Sequence, residues 1–318
     1  MTSKALWGAL GLASFFYILR SYGFERLAAD LGGLGFWKIP LILSFLPTVF
    51  CYALAWALVT PEVGVAKVFP LMRFTIISIA WNNLSPFVKV LGEPVRVGLL
   101  ERWIDRKQAT KSMILYNLVH ALGTLGSFFF ASLALLLLYP VPGFARTGLL
   151  LFLFSSPLLI MALYGLPHFA RRFLGRKSHR NKLVLAGFWV HWSFSKIRIF
   201  SRKYPTRMWI AVAVEIVARF VEGGTFYVAF RALGQAQPLI PCALLDVGRA
   251  LLDNIFFFVP YQVGSREGGI AFLAEHTFSA AAGIAISAAV LYRLVEIFWM
   301  GAGYLLWILE KRSSRSSM

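Results

Sequence analysis

The sequence predicts an all-α polytopic membrane protein of about six to eight membrane helices, with two re-entrant broken-helix hairpins set in an inverted internal repeat. Three observations lead there. A chain of 318 residues that is 58% hydrophobic and only 14% charged, with a mean hydropathy of +0.69, has too little polar side chain to cover a water-facing surface. Two polar stretches rich in proline and glycine interrupt the apolar background at matching places in the two halves. Basic residues collect between the apolar segments, as cytoplasmic loops of membrane proteins require.

Ala5 to Leu19 is 15 uncharged residues, short against the roughly 20 that cross hydrocarbon. No small-x-small cleavage site follows and Arg20 and Arg26 come next, so it reads as an uncleaved first helix, tilted or incomplete. Ile39 to Val59 is a clear span closed by Thr60-Pro61-Glu62. Phe69 to Ala80 leads into the first special stretch, Asn82-Asn83-Leu84-Ser85-Pro86-Phe87-Val88-Lys89-Val90-Leu91-Gly92-Glu93-Pro94-Val95-Arg96. It is too polar to cross a bilayer, yet it lies among segments that do. A charged loop from Glu101 to Lys111 follows, then no Lys, Arg, Asp or Glu from Ser112 to Ala145, which accommodates one long span.

Another span is expected from Gly148 to about Leu166. Residues 168–207 are the most basic part of the chain, and Leu183 to Phe200 within them mixes aromatics with bases like a helix lying in the interface. Met208 to Phe230 spans again, Leu239 to Val259 enters before the second special stretch, and Ile284 to Leu309 is the last span, followed by a basic tail over 310–318. The whole is expected to be one integral membrane domain, with a first repeat over about 39–138 and a second over about 208–309. Placing residues 168–207 and the tail on the cytoplasmic face inverts the two repeats and brings the hairpins in from opposite sides.

The repeat is carried by short matches. The second stretch, Phe256-Phe257-Phe258-Val259-Pro260-Tyr261-Gln262-Val263-Gly264-Ser265-Arg266-Glu267-Gly268-Gly269, has seven positions from Pro260 to Glu267, the same as from Pro86 to Glu93. Downstream, Leu115-Tyr116-Asn117-Leu118-Val119-His120 lines up with Leu291-Tyr292-Arg293-Leu294-Val295-Glu296, an offset of 176 against 174 for the glutamates.

The charges within apolar segments are the candidate site. Glu215, Arg219 and Glu222 recur at helical spacing, as do Asp246, Arg249 and Asp253, and Arg293 with Glu296. Each costs on the order of 2.5 to 3.5 kcal/mol at a span centre, so they must face one another, the hairpins or water. One reading makes them structural ion pairs, with Glu215–Arg219 and Arg293–Glu296 the simplest; the other makes them coupling charges. Asn83, Lys89, Glu93, Arg96, Arg266, Glu267, Arg293 and Glu296 form the candidate substrate-binding set, because helix-breaking Gly and Pro beside them free backbone groups for a headgroup. Lys89, Arg96, Arg266 and Arg293 are the phosphate donors, while Glu93 and Glu267 anchor arginines or titrate. His120, aligned with Glu296, is equally readable as a packed polar group.

Several classes are disfavoured. The net charge of +18 lies between spans and comes without any RNA-binding or helix-turn-helix signature, so no nucleic-acid partner is expected. Cys51 and Cys242 have no ligand-spaced companions, and neither a metal nor a cofactor is expected. Gly-x-Ser-x-Gly, His-Glu-x-x-His and Walker A motifs are missing, so no catalysis is expected.

Asn83-Leu84-Ser85-Pro86 with Gly92-Glu93-Pro94-Val95-Arg96, then Val259-Pro260 with Gly264-Ser265-Arg266-Glu267-Gly268, followed by Arg293 and Glu296, give the chain its resemblance to a known group. Over about residues 5–309 it resembles the flippase-like family typified by the transmembrane region of lysylphosphatidylglycerol synthases. Phe257-Phe258-Val259-Pro260 and Glu267-Gly268-Gly269 look most like its hopanoid-biosynthesis-associated branch. Tyr261-Gln262-Val263-Gly264-Ser265-Arg266 departs from the usual glycine-rich element by adding an arginine and a tyrosine. Aminoacyl transfer is not carried over, since residues 1–318 hold no soluble transferase segment. The resemblance implies a plasma (inner) membrane transporter of a phospholipid, aminoacylated lipid or hopanoid, with anionic headgroups at the basic segment. A scaffold for a lipid-biosynthesis complex and an intramembrane lipid-modifying enzyme are the alternatives.

Overall fold

The computed structural model describes residues 32–84, 91–141, 199–256 and 264–316, with scattered positions between them (25, 29, 143, 146–151, 153–155, 157–158, 259 and 262) and only the backbone of 84 and 312–316. Lys89, the first apolar segment, most of the span expected from Gly148 and the greater part of residues 168–207 lie outside the described residues. The described part is all-α, and the chain is a polytopic membrane protein.

The first described span opens with a 3₁₀ turn, Gly35–Trp37, continues as α1 (Lys38–Leu43) and becomes α2 (Leu46–Val59). A turn at Gly64, with φ +73°, leads to α3 (Val68–Leu84), and α4 (Gly92–Leu100) returns beside it. Asp105 then caps α5 (Arg106–Leu138) by accepting from the N–H groups of Lys107 and Gln108. At 33 residues, α5 is about 50 Å long.

The second half holds α6 (Pro205–Glu222), α7 (Gly224–Ala232), α8 (Leu239–Ile255), α9 (Ser265–Phe278) and α10 (Ala282–Ser316). Among the described residues, Gly35–Val59, Arg106–Leu138 and Ala282–Lys311 are each long and apolar enough to cross a membrane unaided. The hairpin arms are shorter, and α6 carries four charges.

Two boundaries differ from the sequence reading. The span expected from Met208 to Phe230 is broken at Gly223, where a Cβ would collide with the backbone of Cys242 and Ala243 on α8. The entry expected to run from Leu239 to Val259 stops as a helix at Ile255.

Contacts between helix ends establish the topology. Ser44, just before α2, donates to Thr225, just after α6, at 3.0 Å, while Val59 and Tyr204 at the other ends share one recess. These helices are therefore antiparallel. Complete burial of Ala53, Ala57 and Ala211 in a shared cluster lets their backbones approach, which matters in lipid, where tight packing replaces the hydrophobic effect as the source of association.

The α3–α4 hairpin opens towards the end of the bundle that holds Tyr204. Arg73 on α3 and Arg102 after α4 both pair with Glu310 near the end of α10, Arg73 at 2.6 Å. The α8–α9 hairpin opens towards the opposite end: Phe278, closing α9, lies edge-on to Tyr139, closing α5, with ring centroids 5.0 Å apart. The halves are inverted relative to each other.

Candidate functional site: a charged chamber between two broken helices

Both hairpins break where their arms reach the interior. At the first, the Asn82 Oδ1 accepts from the Gly92 N–H at 2.7 Å, joining the end of α3 to the start of α4. Gly92 is required there, because a Cβ would run into the Ser78 backbone oxygen. At the second, Gln262 and Gly264 adopt φ +50° and +81°, and Glu267 Oε2 accepts from the Gly264 N–H at 2.8 Å to start α9.

A chamber of about 590 Å³ lies between the breaks. The first hairpin lines it with Asn82, Asn83, Glu93 and Arg96, and the second with Asp253, Asn254 and Gln262. The long spans add Phe45, Tyr52, Tyr116, Asn117, His120, Glu296 and Trp299 from the middle of their lengths. Arg219, Glu222 and Arg249 complete the charged wall.

That wall is a continuous polar chain. The guanidinium of Arg249 is its hub: Nε donates to Asp246 Oδ1 at 2.6 Å, Nη1 to Asp253 Oδ2 at 2.9 Å and Nη2 to Glu222 Oε1 at 3.0 Å. The Tyr292 hydroxyl donates to the same Glu222 at 2.7 Å and the Tyr52 hydroxyl to its other oxygen at 3.0 Å. From Asp253 the chain passes to Arg266, whose fork holds Glu296 at 2.6 and 2.9 Å.

From Glu222 it passes the other way to Arg219, and from Arg219 Nη2 to His120 Nε2 at 3.0 Å. Since arginine only donates, Nε2 is an acceptor, and His120 donates through Nδ1–H to Glu215 at 2.8 Å. A buried charge without such partners would cost several kcal/mol, which is why so many are linked in series here (on the order of 3 to 5 when one partner is removed).

The pairing within single helices expected for Glu215 with Arg219 and Arg293 with Glu296 gives way to pairing between helices. Glu215 meets His120 of α5, Arg293 Nε donates to Glu267 Oε1 at 2.6 Å, and Glu296 takes Arg266. Helical spacing placed these residues on common faces, but partners one helix away are better aimed.

Over residues 5–303 the chain matches the family model described as lysylphosphatidylglycerol synthase TM region. The chain belongs to that family. No curated protein and no solved structure matches it. As a lysylphosphatidylglycerol synthase TM region protein it is a lipid-related membrane protein.

In this family member the structure brings Asn83, Glu93, Arg96 and Glu296 of the sequence-derived binding set to the chamber wall, together with Arg219, Glu222, Arg249 and Asp253. Arg266, Glu267 and Arg293 stand behind the wall as its supports, and Glu215 and Asp246 are wholly buried. Sequence reasoning missed Tyr52, Trp56, Tyr116, Asn117 and Tyr292. A signal existed for three of them: Tyr116-Asn117 and Tyr292 lie inside the repeated motif. For Tyr52 and Trp56 there was none, as aromatics in an apolar span look like lipid-facing surface.

Proposed function

We propose that this chain carries a membrane lipid with a polar or charged headgroup from one leaflet to the other through the chamber, without altering the lipid chemically. The observation that carries this reading is that two helix breaks, reached from opposite ends of the bundle, line one polar cavity at mid-length of the spans. A headgroup shed of water there meets charges and amides, and rocking one half against the other would open the cavity alternately to each side.

The charge pattern supports a division of labour. In the second half every arginine of the chamber region is tied to carboxylates, making a stiff wall, whereas Glu93 and Arg96 of the first half form no ion pair among the described residues. Ligand contacts are therefore assigned to the first half. The carried lipid is a phospholipid, an aminoacylated lipid or a hopanoid, the membrane is the plasma (inner) membrane, and the basic segment and tail are cytoplasmic, following the excess of Lys and Arg in them.

The test is leaflet exchange in reconstituted vesicles carrying a headgroup-labelled phospholipid, read by quenching the outer-leaflet label. Wild-type protein is expected to make the inner-leaflet label accessible, and Asn83→Trp, which fills the chamber, to abolish this. Vesicles in which wild type gives no more exchange than protein-free vesicles would defeat the proposal.

A further inference from the structure

Arg96 stands apart from every other cation of the chamber. It is 5% exposed and lines the cavity, its guanidinium carbon 5.1 Å from the Trp56 ring centroid and 4.9 Å from that of Tyr116. Its Nε is buried and makes no hydrogen bond, and no ion pair to it exists among the described residues. Those residues include every acidic side chain of the sequence except Asp30. Glu93, one turn earlier on the same helix, accepts from Asn117 and does not turn to Arg96.

The Trp56 and Tyr116 rings sit side by side, their centroids 5.9 Å apart, so they shelter one side of the Arg96 guanidinium and leave N–H groups on its other side for an acceptor. Asn82 has its oxygen committed to the Gly92 N–H, so its amide NH₂ remains to donate. The start of α4, a nine-residue helix, faces the same cavity with the positive end of its dipole.

We propose that Arg96 is the anchor for a phosphate ester, held through the guanidinium fork with Asn82 as a second donor. The inference deepens the transport reading and rests on it for the chamber being a ligand site. A phosphate supplies one negative charge and a pair of acceptor oxygens to an arginine that forms no ion pair among the described residues. Arg266 of the second hairpin also lies against a tyrosine ring, 5.3 Å from the Tyr292 centroid, but is already occupied by Glu296.

The test uses the full chain, purified in an uncharged detergent, and titration calorimetry with three probes: a short-chain phosphatidylglycerol, its neutral methyl phosphotriester, and inorganic phosphate. Wild type is expected to bind the phosphodiester roughly tenfold or more tightly than the triester. Arg96→Gln is expected to erase that difference and Arg96→Lys, which keeps the charge without the fork, to retain part of it. Equal binding of diester and triester by wild type overturns the inference even if Arg96→Gln fails to fold.

Inorganic phosphate binding as tightly as the phosphodiester, and lost in Arg96→Gln, supports phosphate chemistry at Arg96 and overturns the lipid as its source. Diester selectivity without leaflet exchange in vesicles removes the transport reading and leaves this one standing. Exchange without selectivity does the reverse.

Discussion

Asn117 Nδ2 donates to Glu93 Oε2 at 2.8 Å, and this contact is the counterpart of the one Arg293 makes with Glu267 at 2.6 Å in the other half. The repeated motif places Asn117 and Arg293 at equivalent positions, each reaching the glutamate of its own hairpin. An amide in one half and a guanidinium in the other leave Glu93 held but not neutralised. The asymmetry gives the chamber one wall of paired charges and one wall whose Glu93 and Arg96 form no ion pair among the described residues. Asn117→Arg is therefore expected to restore the missing pair, raising the melting temperature in detergent while slowing leaflet exchange. Thermal unfolding and the vesicle assay together check it, and faster exchange would contradict the division between the halves.

Arg249 holds three carboxylates at once, and its side chain is 4% exposed. Arg249→Met leaves Glu222, Asp246 and Asp253 without their shared cation, at a cost of about 3 to 5 kcal/mol. Arg249→Lys is expected to recover only part of this, since one ammonium does not reach in three directions. Comparative unfolding in detergent measures both, and a melting temperature for Arg249→Met equal to wild type would refute the hub.

The two tyrosines on Glu222 are not equivalent. Tyr292 donates to Oε1, which also has Arg249 at 3.0 Å, whereas Tyr52 donates to Oε2, whose other partner, Arg219, is 3.6 Å away. Tyr52→Phe is thus expected to destabilise more than Tyr292→Phe, each by about 1 to 3 kcal/mol. The ring stacking of Tyr292 on Phe226, 4.8 Å between centroids, survives in the phenylalanine variant. Unfolding measurements on the pair of variants decide the order.

Gly92 sits where α4 crosses the end of α3, and a Cβ there would overlap both the side chain and the backbone oxygen of Ser78. Since the oxygen belongs to a helix backbone, it has little room to give way. Gly92→Val is expected to separate the hairpin arms, lowering expression and abolishing exchange, while Gly98→Val, with open space around its Cβ position, is expected to be tolerated. Monodispersity on gel filtration together with vesicle exchange reports both outcomes.

Glu62 and Ala236 are exposed in turns at opposite ends of the bundle. In intact cells Ala236→Cys is expected to react with a membrane-impermeant maleimide, and Glu62→Cys only after the membrane is opened, because Lys111 and Lys203, which share a recess with Glu62, mark the end proposed to be cytoplasmic. Labelling of both from one side would disprove the inverted arrangement.

Much of the fold was legible in the residues alone. Ile39 to Val59 and the uncharged run from Ser112 stood out as spans because hydrocarbon tolerates few charges, and Pro86, Gly92, Pro260 and Gly264 marked the breaks because helices do not run through such residues unaided. The close approach at Gly223 was hidden, since the backbone it meets is that of Ala243, twenty residues away in sequence. The membership of Glu93, Arg96, Arg219, Glu222, Arg249, Asp253 and Glu296 in a polar site could be read from the cost of charge in lipid, but their partners could not.

By itself the sequence determined that this is a helical membrane protein with two interrupted stretches and charges within its apolar segments, because composition and periodicity are local properties. Only the tertiary structure decided that Arg266 and Arg293 belong to the supporting wall while Arg96 has no carboxylate partner among the described residues. Ion pairing depends on which guanidinium reaches which carboxylate within a few ångströms, and that distance is fixed by how antiparallel helices pack.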